Sequence, residues 1–259
     1  MTTENAPLFL HRIHLDQVRL LDLGRRRHLP AHSTDMGYLV HCQMMEMFGE
    51  CAPIPFQIQE GKGRGLVVLA YSPHGREALL EHADAFADPA INAALDRERF
   101  DSKRMPDSWA AGRRLGFHIR ICPVVRVSSK VGTFTGAPEV TAGAETDAYL
   151  SQCWWAGKDV RVDREQVYRG WLEQRLQANG AIQVLHTEMT SFRIGKLLRR
   201  DHETDRKSRL LERPEAEFTG EFEVRDPLAF QALLMKGVGR HKSFGFGMLL
   251  LRPPRPSHC

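Results

Sequence analysis

Twice along this chain, a segment of alternating apolar and polar side chains is followed by a helix-spaced segment, two strand-like segments and a second helix. In the first half, residues 8–15 (LFLHRIHL) alternate with the period of a half-buried strand. A basic, irregular stretch follows, with Arg25, Arg26, Arg27 and His28 ahead of Pro30. Ser33, Thr34 and Asp35 then offer N-cap oxygens for a helix reaching about Phe48, where Gly49 stops it. Residues 53–59 and 65–72 read as two strands of a hairpin around EGKGRG. Residues 76–99 have helical character, broken near Asp88-Pro89, and 101–114 turn polar and irregular like a linker.

The second half repeats the order. Residues 114–127 (RLGFHIRICPVVRV) reopen as a strand in which Phe117, Ile119 and Ile121 alternate with His118 and Arg120. Residues 133–151 show no clear period. Residues 163–179 are helical, with Val167, Trp171, Leu172 and Arg175 at helix spacing and Asn179-Gly180 as the stop. Strands over 182–198 and 207–224 flank the turn RRDHETDR, and Asp226-Pro227 opens a helix to about Met235. A glycine-rich segment then leads into a last strand, MLLLRP. Both halves read as β-α-β-β-α-β, so the expected fold is α+β with two tandem ferredoxin-like domains. The expected boundaries are 1–105 and 114–259, the second domain carrying a basic hairpin and the glycine-rich loop.

Composition narrows the class of function. At 259 residues, 42% hydrophobic and 26% charged, the chain resembles an ordinary globular protein, and it has no apolar run of membrane-spanning length. The first residues lack the basic start and apolar core of a signal peptide. Cys42, Cys51, Cys122, Cys153 and Cys259 form no CxxC pair, so neither a disulfide framework nor a zinc ribbon is indicated. A cytoplasmic protein with no membrane partner is expected. The 36 Lys and Arg exceed the 32 Asp and Glu by four. Residues 191–213 hold eight of those cations (Arg193, Lys196, Arg199, Arg200, Arg206, Lys207, Arg209, Arg213) against four acids, which equals the whole excess. A local basic stripe on a neutral body suits a polyanion; the blander alternative is a solvated loop.

The most unusual text is Gly237-Val238-Gly239-Arg240-His241-Lys242-Ser243-Phe244-Gly245-Phe246-Gly247. Four glycines in eleven residues let a backbone approach a phosphate, and Arg240, His241 and Lys242 add charge beside it. The segment leads into a strand, so it fits neither a P-loop nor a dinucleotide fingerprint, both of which open a helix. A turn with a β-bulge is the structural alternative.

GVGRHKSFGFGMLLL before a proline-rich stop resembles the C-terminal glycine-rich loop of the CRISPR repeat-RNA endoribonucleases, closest to their CasE type within the repeat-associated mystery protein superfamily. The doubled element order, the opening strand LFLHRIHL and a helix bearing Tyr and His three residues apart agree with that resemblance. It covers most of the chain; residues 88–114 and 130–160 match nothing in it. It implies a metal-independent ribonuclease that needs no cofactor. Such an enzyme cuts the repeat at the base of a hairpin, leaves a 2′,3′-cyclic phosphate and a 5′-hydroxyl, and often stays bound to its product. The implied partners are the CRISPR repeat RNA hairpin and other subunits of a type I-E or type IV effector complex. The family's Tyr-x-x-His motif falls on Tyr38-Leu39-Val40-His41, later than usual because the Arg25–Arg27 stretch intervenes.

The chemistry stands beside the resemblance. RNA carries its own nucleophile, so cleavage needs a base, an acid and charge stabilisation. Histidine serves either proton-transfer role near neutrality, and a spacing of three puts Tyr38 and His41 on one helix face. His28 and His32 are rivals for the role. His11 and His14 point to opposite strand faces and no HExxH occurs, so no metal site is expected. Cys42 reads as core. The basic ribbon, with Gly237, Gly239, Arg240, His241, Lys242 and Ser243, is the expected RNA-binding surface, and its cations would chiefly meet phosphates. Phe192 is a stacking candidate whose alternative is core; Trp154, Trp155 and Trp171 are read as core or interface. Two other classes stay open: a non-catalytic RNA-hairpin-binding subunit, and a nucleotide-binding enzyme using the glycine loop.

Overall fold

The computed structural model describes residues 6–27, 35–60, 65–127, 142–156, 160–200 and 208–255, and of 60, 199, 200, 208 and 209 the backbone only. The first half runs β1 (Phe9–Asp16), α1 (Gln17–Arg26), α2 (Met36–Phe48), β2 (Phe56–Glu60), β3 (Gly65–Ser72), α3 (Arg76–Phe86), α4 (Pro89–Asn92) and β4 (Asp101–Arg104). Its antiparallel sheet has the order β2-β3-β1-β4, with the first and third strands central. That order is the ferredoxin-like split βαβ, and each β-α-β crossover lays its helix on the sheet.

The second half runs β5 (Arg114–Ile121), β6 (Val124–Arg126), β7 (Glu145–Asp147), α5 (Ala148–Ala156), α6 (Arg164–Gln177), β8 (Ile182–Arg200), β9 (Ser208–Val224), α7 (Pro227–Lys236) and β10 (Leu250–Arg252). Its main sheet has the order β10-β5-β9-β8, the same permutation of first, second, third and fourth strands. Between the first strand and helix α6 this domain inserts a small β6-β7 pair and α5. The tandem ferredoxin-like reading holds.

Three local expectations fail for identifiable reasons. The stretch after β1 is a helix rather than irregular, because Asp16 caps the Val18 and Arg19 amides while Leu20 and Leu23 are buried. Asp101–Arg104 has no apolar alternation, yet it is an edge strand, since β1 supplies the partner ladder from Phe9↔Arg104 to Arg12↔Asp101. The long strand expected over 114–127 breaks at Cys122-Pro123, since proline cannot continue a ladder, and β6 turns away to pair with β7.

The domains share one apolar core. Leu8, Tyr71, Met105 and Trp109 from the first domain's side pack with Phe117, Phe218, Phe222, Phe230 and Leu249 of the second. The Tyr71 hydroxyl donates to the Leu249 carbonyl at 3.2 Å, and Gln231 Nε2 donates to the Ala6 carbonyl at 2.8 Å. In the facing layer, Gln57 of β2 lies 3.2 Å from His118 Nδ1, and His118 Nε2 is 3.4 Å from Glu217. Among the described residues no helix is long and apolar enough to cross a membrane.

His11 lies wholly buried in β1, with Phe9 and Phe100 as ring neighbours. Nε2 faces the His74 carbonyl at 3.0 Å and must donate to it, which leaves Nδ1 a buried lone pair without a partner. Burial pushes this imidazole down to about 4. In the unfolded chain the ring takes its proton near 6.5, so stability is unaffected above that pH and falls as pH drops from 6.5 to 4. In His11→Gln the loss over that range, read from urea unfolding, should shrink by on the order of 3 kcal/mol relative to wild type.

Candidate active site and nucleic-acid interface

Helix α2 begins with Asp35, whose Oδ1 accepts from the Tyr38 amide at 3.2 Å. Its other oxygen accepts from the Leu198 amide of β8 at 2.9 Å, so one carboxylate caps the helix and ties it to the second domain. Burial pushes the Asp35 carboxyl above its ordinary range, although these amides and Arg120 pull the other way. Glycine at position 37 is a packing requirement: a Cβ there would overlap the Phe244 carbonyl oxygen. The helix thus lies directly on the glycine-rich loop.

Phe244 joins the two expected reactive residues. Its ring stacks on Tyr38, centroids 6.2 Å apart and 7° from parallel, and meets the His41 ring at 5.3 Å. Tyr38 is buried and His41 half-buried. Burial, then the nearby Arg27 guanidinium, holds the His41 imidazole below its ordinary value. Arg27 follows α1 and reaches α2, where Nη1 lies 3.4 Å from Cys42 Sγ and the guanidinium pairs with Glu46. Cys42 is buried, as a core cysteine should be.

The loop itself is held by carboxylates. His241 adopts a left-handed φ of 60° and opens a single 3-10 turn, Lys242–Phe244, that contains the half-buried Ser243. Glu145 on β7, its side chain 7% exposed, accepts from His241 Nε2 at 3.1 Å and pairs with Arg240 at 2.5 Å and Arg213 at 4.0 Å. Burial alone would raise the Glu145 carboxyl, but His241, Arg240 and Arg213 together hold it below its ordinary range. Lys242 Nζ donates to the Lys236 carbonyl at 2.7 Å. The Val238 amide donates to the Gly247 carbonyl and the Gly247 amide to the Arg120 carbonyl, which fixes the base of the loop on β5. Gly237 and Gly239 have φ of 67° and 75°, and a Cβ on Gly239 would strike the Trp171 indole.

The basic ribbon exists as β8 and β9, paired from Ile182↔Val224 to Arg200↔Ser208 with two register shifts. Arg193 is exposed and pairs with the buried Glu215 at 2.7 Å, as does Arg120. Lys196 is exposed opposite Glu212, Arg199 stands opposite Arg209, and Arg200 opposite Ser208. Arg206, Lys207, His28 and His32 lie outside the described residues. Phe192 is partly exposed, with the Arg164 guanidinium 4.4 Å from its ring centre. Trp171 is buried, Trp154 intermediate, and Trp155 68% exposed rather than core. The structure therefore brings Tyr38, His41 and the loop together, and sets the basic ribbon's Leu198 beside the same helix cap.

Sequence reasoning missed Phe244 as the bridging ring, although it stood inside the glycine-rich text. It also missed Glu145, which lies in a segment without period, and the second tie made by Asp35. Among the described residues, no three His, Cys, Asp or Glu side chains group as a metal site would.

The chain is thus a doubled ferredoxin-like unit whose C-terminal glycine-rich loop lies on a Tyr/His helix of the first unit. The sequence model of the CRISPR-associated protein family matches residues 8–253, and the chain belongs to that family. Its fold is similar to that of the CRISPR endoribonuclease Cse3 bound to 19-nucleotide RNA (18% identity, TM-score 0.59). It is also similar to Cas6e from Escherichia coli K-12 (17%, 0.55) and to a chain of a CRISPR RNA-guided surveillance complex (17%, 0.54). Each alignment covers 95% of this chain and 100% of the other. No curated protein sequence matches.

Two outcomes follow from this geometry. The His41 ring protons, followed by NMR, should titrate below pH 6.5, and Arg27→Gln, by removing a neighbouring positive charge, should move that midpoint upward. Gly37→Ala should displace the loop from α2, so that tyrosine and phenylalanine ring signals at Tyr38 and Phe244 shift while the rest of the spectrum is kept.

Proposed function

We propose that this chain is a metal-independent endoribonuclease that cleaves CRISPR precursor RNA within the repeat hairpin and remains on its product as a subunit of an effector complex. The observation that carries the reading is the half-buried His41 on α2, whose ring packs at a tilt against Phe244 of the other domain's glycine-rich loop. Support comes from family membership and from the shared fold with Cse3 and Cas6e.

The reaction uses the RNA's own 2′-hydroxyl. Its oxygen attacks the adjacent phosphorus, the P–O5′ bond breaks, and the products are a 2′,3′-cyclic phosphate and a 5′-hydroxyl. One proton leaves the 2′-oxygen and one arrives at the 5′-oxygen. His41, held neutral at pH 7 by burial and Arg27, is suited to take the first. Tyr38, stacked on Phe244, fixes the ring beside which the ribose would sit. Arg240 and Lys242 on the loop, with cations of the β8–β9 ribbon, place positive charge where the phosphorane gains negative charge.

His41→Ala should lower single-turnover cleavage of the repeat hairpin by about 10²–10⁴-fold and leave its binding within a few-fold. Cleavage by wild type should persist in excess EDTA; a reaction that stops on chelation and resumes with Mg²⁺ would overturn the metal-free mechanism. RNA binding without cleavage would instead favour a non-catalytic hairpin-binding subunit. Arg199, Arg200 and Lys207 changed together to Ala should weaken binding and flatten the salt dependence of log K by up to about three units. Cleavage at saturating protein should stay near wild type, because these side chains would position the stem.

A further inference from the structure

A second charged surface borders the glycine-rich loop. Its walls are β6, the end of α6, the face of α7 that carries Ala229, Ala232, Leu233 and Lys236, and Gly237–Arg240. Among the described residues, four cations line it, Arg126, Arg175, Lys236 and Arg240, and no acidic side chain does.

This differs from the pairing around the active site. There Arg120 and Arg193 share Glu215, Arg213 and Arg240 share Glu145, and Arg27 has Glu46. In the groove Arg126 and Lys236 are exposed, and neither they nor Arg175 has a carboxylate partner among the described residues. Arg175 is the most informative. Its guanidinium lies 3.8 Å from the Trp171 ring centre and donates to the Trp171 carbonyl at 3.1 Å. Burial holds its pKa below the usual arginine value. A cation half-removed from water over an indole, with one Nη committed to a carbonyl and no carboxylate partner among the described residues, keeps its other guanidinium N–H groups available to phosphate oxygens.

We propose that this groove binds sugar–phosphate backbone next to the scissile segment, as a second anchoring site for the RNA substrate. The inference rests on the endoribonuclease reading above. Continuity selects RNA over an acidic protein segment: Gly237–Arg240 forms both a wall of the groove and the root of the loop that carries Phe244 to His41. A strand leaving the active site along that loop passes from Arg240, which Glu145 already pairs, to Lys236, Arg175 and Arg126, which have no carboxylate partner among the described residues.

The test uses the full chain and a repeat-hairpin RNA with single-stranded flanks, 2′-deoxy at the cut position so that binding is read without cleavage. Arg126→Gln/Arg175→Gln/Lys236→Gln should bind roughly ten- to a hundredfold more weakly at physiological salt, with a salt slope lower by about two to three units. Because Arg175 packs on Trp171, Arg126→Glu/Lys236→Glu is measured in parallel; it leaves that contact intact and should weaken binding in the same direction. Single-turnover cleavage of the ribose-containing RNA at saturating protein should be unchanged in both. If either folded variant keeps wild-type affinity and slope, the groove does not hold RNA. Unchanged RNA binding with lost co-purification of the other effector subunits would make it a protein-docking surface and overturn the proposal. Failure of the wild type itself to bind the hairpin would overturn the endoribonuclease reading, and the groove assignment with it.

Discussion

The close approach of Gly37 to the Phe244 carbonyl is the contact on which the site depends. It brings a helix of the first ferredoxin-like unit against a loop of the second, and no side chain larger than hydrogen fits at that point. Tyr38, the next residue, and His41, one helical turn further on, then meet the Phe244 ring. Two residues 203–206 positions apart in the chain become ring neighbours only because both sheets are already packed through the core that Tyr71, Phe117 and Leu249 share. The surroundings of His41 are therefore a property of the domain pair.

Two buried carboxylates carry the cost of assembling so many cations. Glu145 holds Arg240, His241 and Arg213, and Glu215 holds Arg120 and Arg193. Each burial would be unfavourable for a lone carboxylate, and each is offset by ion pairs with two arginines. The same pairs fix what moves. Glu145 holds the left-handed His241 in place, and so the turn that presents Phe244. Glu215, with Gly195 close above it, anchors the ribbon near Arg193. Among the described residues, Arg126, Arg175 and Lys236 have no such carboxylate, and the proposed groove rests on that difference.

Much of the fold was legible because local chemistry and tertiary packing agree. Asp35 and Gly49 bound α2, Asp163 caps α6, Asp226-Pro227 opens α7, and the alternation of Phe117, Ile119 and Ile121 makes β5 a core strand. Where they disagree, the sequence misleads. Asp101–Arg104 is a strand only because β1 has a free edge, and the Arg25–Arg27 run obscured the Leu20 and Leu23 stripe of α1. The pair Tyr38–His41 was visible as a helix face, and the loop as glycines among basic residues.

The sequence by itself determined the order of elements, the doubled unit, the helix that carries Tyr38 and His41, and the place of positive charge along the chain. These follow from short-range rules: side-chain periodicity, capping oxygens and glycine stops act within a few residues. Tertiary structure alone decided that Phe244 would lie on His41, that Glu145 from a segment without period would hold the loop, and which cations would be neutralised. Those outcomes depend on distances between residues far apart in the chain, set by the packing of two sheets into one core, and no local pattern encodes them.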